Sequence, residues 1–375
     1  MNIFVIGHYG GQNTGDQAML KVLVCELAKK GHYVTYISRN IEDHPFSSEM
    51  IGVSAVVPKI ADVIRAVYES DWIVLGGGTH FHDDYPLRRL LRHYRYMARL
   101  SIVSGLGKAL GKKVAYISMG FGPFRTFLGR LIFRTSLLFA DYISVRDCSS
   151  LAEFNKFKYR AQCVLAFDLA AGLLNEISNK EVKQKLILGI SPTPLHGAEQ
   201  RVGMSSHVFW RLVAQLVAEE VTRREISVRV FEFRGGDRES DRDLVRIFIN
   251  TLKNAGIEVE YIPYMKNPTD TLLKIKECKW FIASRFHSAL LAYLAELPML
   301  IIPYHRKLID LAHDIQLNPQ ALVDIEREGW HSKIKGQLAD LLENATKYVA
   351  VRPITDAVEA AKRNFEFLQL KDEKK

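Results

Sequence analysis

Short apolar runs rich in Val, Ile and Tyr alternate with longer stretches whose apolar residues recur at helical spacing. This is the pattern of βα units feeding a parallel sheet. In the first half the runs predict strands at 2–6, 33–37, 72–75, 113–117, 141–145 and 162–166, with helices at about 16–30, 60–69, 86–110, 125–139 and 148–156. The polar stretch 175–184 interrupts the rhythm and reads as a linker. Strands then follow near 186–190, 227–232, 257–260, 279–283 and 299–302, with helices near 206–224, 238–254, 269–277, 287–296 and 306–315. The expected fold class is α/β, as two Rossmann-like doubly wound domains, 1–175 and 186–350, facing a cleft. A last helix over 354–370, after Pro353, is expected to return and pack on the first domain. Doubly wound sheets bind ligands beyond the carboxyl ends of their strands, so the site is expected in the loops there.

A chain of 375 residues, 48% hydrophobic and 25% charged, fits two globular domains and excludes a disordered or fibrous protein. Its 51 Lys and Arg exceed its 42 Asp and Glu, a net +9 that favours acidic partners. No nucleic-acid-binding motif accompanies that charge, so phosphorylated metabolites or anionic lipid are the expected partners. Cys25, Cys148, Cys163 and Cys278 are scattered singly, so neither a zinc site nor a disulfide framework is expected, in keeping with a cytoplasmic location. The chain opens on a strand rather than on a signal segment, and no apolar run approaches the ~20 residues of a membrane span.

Candidate chemistry sits where strands end. The first strand runs into Gly7-His-Tyr-Gly-Gly-Gln-Asn-Thr-Gly-Asp16, whose Gly10, Gly11, Asn13, Gly15 and Asp16 lead into a helix N-terminus suited to an anion. Its spacing is neither the dinucleotide fingerprint nor a P-loop. Gly76, Gly77 and Gly78 follow a buried-looking strand and introduce His80, His82, Asp83 and Asp84. No third remote ligand completes a metal site there, so acid–base or hydroxyl-orienting work by His82 or Asp83 stands beside a plain surface loop. Gly120 and Gly122, before Pro123, form a further turn at a strand end and are read as a wall of the cleft.

Arg146 ends another strand, where it can grip phosphate or carboxylate or pair with Asp147. The strongest local signal is Ser284-Arg-Phe-His287, which brings a guanidinium, an imidazole and the N–H groups of a new helix toward one anion. Arg306 and Lys307 open the next helix, where positive charge opposes the helix dipole and a bound anion would offset it.

Taken in order, Asn13-Thr-Gly-Asp16, Gly76-Gly-Gly78, Gly120-Phe-Gly-Pro123, Val145-Arg-Asp147, Ser284-Arg-Phe-His287 and Pro303-Tyr-His-Arg-Lys307 resemble the polysaccharide pyruvyltransferase family across nearly the whole chain. The resemblance implies a fold like that of GT-B glycosyltransferases, phosphoenolpyruvate as co-substrate without a further cofactor, and a glycan acceptor, free or lipid-linked, as partner. It also implies donor contacts by Arg146, Arg285 and His287, with Lys307 at the same end. The chain departs from the family pattern at Phe167-Asp168-Leu169, which lacks a following Pro, and at Gln17.

In the implied chemistry an acid protonates the enol methylene, a sugar hydroxyl attacks, phosphate leaves and a second hydroxyl closes a pyruvate ketal. His287 would protonate or anchor the phosphate, and Asp83 or His82 would take the hydroxyl proton. A nucleotide-sugar glycosyltransferase and a non-catalytic anion-binding subunit remain the rivals, because fold does not fix function. The stretches 87–95 and 124–134 mix Leu and Phe with Arg, which fits burial against the sheet or peripheral contact with the inner face of a membrane.

Overall fold

The fold was analysed in a computed structural model that describes residues 1–46, 50–159, 162–178, 180–236 and 240–370, without the side chains of Leu87 and Arg88. Parts of the expected linker (residue 179), of the expected helix at 238–254 (residues 238 and 239) and of the basic stretch 87–95 therefore lie outside the described residues, as does the charged tail 371–375.

The chain forms two compact units. The first holds β1 (Asn2–Ile6), β2 (Tyr33–Ile37), β3 (Val53–Val56), β4 (Trp72–Phe81), β5 (Lys113–Phe121), β6 (Tyr142–Val145) and β7 (Cys163–Leu165). They make one sheet in the order β3-β2-β1-β4-β5-β6-β7, with every pairing parallel. The second unit holds β8 (Ile187–Ile190), β9 (Ser227–Phe231), β10 (Val259–Ile262), β11 (Trp280–Ala283) and β12 (Met299–Ile301), again parallel, in the order β10-β9-β8-β11-β12. Both sheets reverse direction beside their first strand, between β1 and β4 and between β8 and β11. That reversal opens a crevice at the strands' carboxyl ends, where doubly wound sheets hold ligands.

Apolar burial explains the layers. β1, β4 and β5 are almost continuously buried, as strands covered by helices on both faces must be. Leu100, Met97, Phe133 and Leu137 from two covering helices join Phe4, Ile73, Val114 and Tyr116 of the sheet in one cluster. The edge strand β3 was not foreseen, because four half-buried residues carry too little alternation to announce a strand.

Two expectations are corrected. β4 and β5 do not stop at 75 and 117 but continue to Phe81 and Phe121, so the three glycines lie inside a strand. The division falls after Gly172, and Gln12–Gly15 belong to the second unit rather than the first. There Thr14 donates to Phe233 O from both N and Oγ1, at 3.0 Å each, and Gly235 N donates to Gln12 O at 3.0 Å.

After Pro353 come the helix Ile354–Lys362 and the 3-10 stretch Arg363–Gln369. From Ala357 onward the chain belongs to the first unit. Buried Asn364 accepts from Ser144 Oγ at 2.7 Å and donates to Phe167 O at 2.8 Å, and the Phe367 ring packs edge-on against Trp72. Among the described residues no helix is long and apolar enough to cross a membrane.

Candidate active site

The second unit gathers its charged groups at the crevice beside β11. That strand ends at Ala283, and Arg285, in extended conformation, caps the helix Phe286–Leu294. Ser288 closes the first turn, accepting from Arg285 N at 3.0 Å, while Ser191 Oγ, just after β8, donates to Ser288 Oγ at 2.8 Å. The Arg285 guanidinium meets buried Asp241 through two parallel bonds, Nε to Oδ2 at 2.7 Å and Nη2 to Oδ1. Asp241 also accepts from Arg234 N at 3.1 Å and Thr193 Oγ1 at 3.2 Å, so the carboxylate is anchored before it anchors the arginine. A bidentate fork of this kind fixes the direction as well as the position of the cation.

His287 is the second residue of the same helix, half-buried, and its ring lies against the backbone of Gly15. A Cβ at Gly15 would stand 1.9 Å from Nδ1, so only glycine leaves the imidazole where it is. Gly15 is itself held by its N–H, which donates to Asn13 Oδ1 at 3.1 Å at the start of the helix Thr14–Lys29. The sequence reading put the Asn13–Gly15 loop in the first domain and Arg285 and His287 in the second, whereas Gln12–Gly15 fall in the same unit as Arg285 and His287.

The first unit builds a different constellation beyond β1 and β4. His80 Nε2 lies 3.1 Å from Gly76 O and 2.8 Å from Gly77 O, both acceptors, so that nitrogen carries the proton. Nδ1 is then the acceptor for Tyr96 OH at 2.7 Å. Burial lowers the pKa of His80 and keeps the ring neutral. His8 stacks on Tyr96 at 4.8 Å, and His82 lies 4.4 Å from His93 and 4.7 Å from Tyr85. Burial pushes His93 down to about 4.

Several expected roles change. Asp83 is buried and accepts from Arg125 N at 2.5 Å, Thr126 N at 2.8 Å and Thr126 Oγ1 at 2.6 Å. It holds the entry to the helix Phe127–Leu137 through these three bonds. Arg146 is buried too, with Nη1 3.0 Å from Asp168 Oδ2, Nη2 3.2 Å from Thr79 Oγ1 and Nε 3.6 Å from Asp147. Its main partner is thus Asp168, not Asp147, and the geometry is that of an internal ion pair. His82 is half-buried and remains reachable.

The glycines serve packing more than ligand approach. A Cβ at Gly76 would stand 2.6 Å from Tyr9 Oη, and one at Gly77, whose φ is +30°, 2.4 Å from Met19 Sδ. Gly78 also has positive φ, +108°, and the β4–β5 register slips just beyond it. Gly120 clears Thr79 and Arg146, Gly122 clears Glu153, and Gly10 clears Ser38 and Asn40, whereas a Cβ at Gly11 would meet His8 O at an ordinary contact distance of 4.0 Å. Asp16 takes the first turn of its helix, where a carboxylate suits the dipole.

Lys307 N donates to His305 Nδ1 at 3.2 Å, and Arg306 is answered by Asp310 at 3.6 Å. Asp241, Arg234 and Tyr96 were missed, since no motif or spacing marks them and only the fold brings them to their partners, while Asp168 and His8 stood in quoted motifs without a role assigned to them. Among the described residues no group of three His, Cys, Asp or Glu is arranged around a metal position.

A model of the family described as polysaccharide pyruvyl transferase matches residues 13–306. The chain belongs to that family. The match spans both units, from Asn13 through Arg285 and His287, and makes this family member a transferase of polysaccharide biosynthesis. No curated protein matches its sequence.

Solved structures of similar fold include UDP-GlcNAc 2-epimerase from Methanocaldococcus jannaschii, at TM-score 0.63 and 10% identity, covering 99% of this chain and 100% of that one. Another is S. aureus MnaA, solved with UDP, at TM-score 0.59 and 10% identity, covering 100% and 98%. At such identities the likeness concerns fold alone: the chain has the two parallel-sheet α/β domains of the GT-B kind.

Proposed function

We propose that this family member transfers pyruvate from phosphoenolpyruvate to hydroxyls of a glycan, free or lipid-linked, and closes a pyruvate ketal with release of phosphate. The observation that carries the reading is the Asp241–Arg285 fork beside His287 at the start of the helix Phe286–Leu294. A fixed guanidinium, an imidazole and a helix N-terminus at one point suit a small phosphorylated anion whose charge shifts during reaction. Arg285 grips the donor's carboxylate or phosphate. The enol methylene gains a proton and C2 is attacked by one hydroxyl. The C2–O bond to phosphate breaks, and attack by a second hydroxyl completes the ketal. One hydroxyl proton thereby ends on the new methyl group and the other on phosphate. His287 protonates or steadies the departing phosphate.

The first test is thermal. Phosphoenolpyruvate should raise Tm, by the equivalent of ~2.7 kcal/mol at a hundredfold excess over Kd, while UDP-, GDP- and CDP-sugars should not. Stabilisation by a nucleotide sugar alone would make the protein a glycosyltransferase instead. Arg285→Ala should weaken donor binding by ~2–5 kcal/mol, whereas His287→Asn should lower turnover by ~10²–10⁴-fold with little change in donor affinity. Turnover is read as phosphate released in the presence of glycan acceptors.

A further inference from the structure

Between Asp84 and Asp141 the sequence contains eleven Lys and Arg and no Asp or Glu. That segment carries +11 against +9 for the whole chain, so the remaining residues together are at −2. The protein's positive charge is therefore concentrated in one stretch, which forms the helix Leu87–Ala109, β5 and the helix Phe127–Leu137.

The two helices pack side by side on one face of the first sheet. Tyr94 Oη and Thr126 Oγ1, 2.5 Å apart, tie the first helix to the N-cap of the second. Their inner sides are committed to the core through Tyr94, Met97, Leu100, Phe133 and Leu137. Their outer sides are not polar, as a helix over a sheet should be in water. Phe127 is 81% exposed, Ile102 68%, Leu91 67% and Leu138 62%, with Leu128 and Leu131 also exposed.

Arg92, Arg95 and Arg99 stand on the outer side of the first helix and Arg134 on that of the second, all exposed, and none has a carboxylate partner among the described residues. Burial of these stretches against the sheet is thus true of one side only.

We infer that this helix pair docks the protein on an anionic lipid surface. Apolar side chains ringed by arginine, with no acid on either helix, match the boundary between acyl chains and negative headgroups. A negatively charged membrane surface offers charge complementarity along the whole patch. The arginine stems can lie against lipid while their guanidinium groups meet phosphate. The inference stands on the helix pair alone and does not depend on the identity of the donor.

Co-sedimentation of the full chain with lipid vesicles, without phosphoenolpyruvate, tests it. Binding is expected to phosphatidylglycerol-containing vesicles, to fall as salt is raised, and to be absent with pure phosphatidylcholine. The triple variant Arg92→Glu, Arg95→Glu, Arg99→Glu should lower the partition by about 100-fold or more, with an unchanged melting curve. Phe127→Ser with Leu131→Ser should weaken binding at fixed phosphatidylglycerol content and leave phosphate release on a soluble glycan intact. The inference is overturned if wild-type protein ignores the anionic vesicles. It is equally overturned if both variants bind as wild type, or if the patch instead holds a dimer in solution that the same substitutions dissolve.

Discussion

At the residue scale the second unit depends on one missing methyl group. Gly15 gives its Cβ space to the His287 ring, so Gly15→Ala must rotate or displace the imidazole. We predict a fall in turnover of about 10²-fold with Tm nearly unchanged, because the misplaced group is a side chain and not the backbone. Wild-type turnover in that variant, measured as phosphate release, would detach His287 from the chemistry. Asp241 presents the opposite case. Asp241→Ala leaves a largely buried guanidinium without its fork and should cost about 3–5 kcal/mol, read by denaturant unfolding.

The histidines of the first unit set a pH limit. Burial lowers His80 and brings His93 to about 4, against about 6.5 in the unfolded chain. Below about pH 6.5 the unfolded state takes up protons that the folded state refuses, so stability should fall from there toward pH 4 and no further on account of His93. His93 is partly exposed, so its slope stays below the one-proton maximum of about 1.4 kcal/mol per pH unit. In Tm measured against pH, His93→Gln should flatten part of this acid limb; an unaltered limb would exclude the residue.

At the scale of elements, β4 shows how a glycine run can be misread as a ligand loop. The chain stays in the sheet through Gly76, Gly77 and Gly78, and the positive φ of the last two turns carbonyls toward His80. Gly77→Val would force a branched residue into left-handed backbone and against Met19. It should destabilise the fold by about 2 kcal/mol or more, where Gly11→Ala, whose Cβ would make only an ordinary contact with His8 O, should leave Tm within about a degree. Equal melting of the two variants would return Gly77 to the role of an open turn.

At the scale of the whole molecule, the chain's end completes the first unit after the second has been built. Asn364 accepts from Ser144 Oγ and donates to Phe167 O in a buried position, so Asn364→Ala should cost about 1–3 kcal/mol by removing both buried hydrogen bonds. Removal of everything after residue 356 should lower the stability of the first unit by more. Differential calorimetry with two resolved transitions would show which unit responds.

Apolar runs at strand length alternating with helical stretches determined two parallel sheets and all their strands but the edge strand β3, because period and length are local properties. The ordered motifs determined the family and put Arg285 and His287 at a helix start, since a strand end followed by a helix N-terminus is legible in ten residues. Partnership was not legible. Asp241 reaches Arg285 across 44 residues, Asp168 reaches Arg146 across 22, and Gly15 meets a histidine from the far half of the chain. Nor did Asp83 betray that three donors already occupy it. The basic, acid-free segment was visible as composition, but which of its residues face water is a matter of helix phase against the sheet. Local pattern fixes what an element is; which charges meet, and which are left facing outward, follows only from how the elements pack.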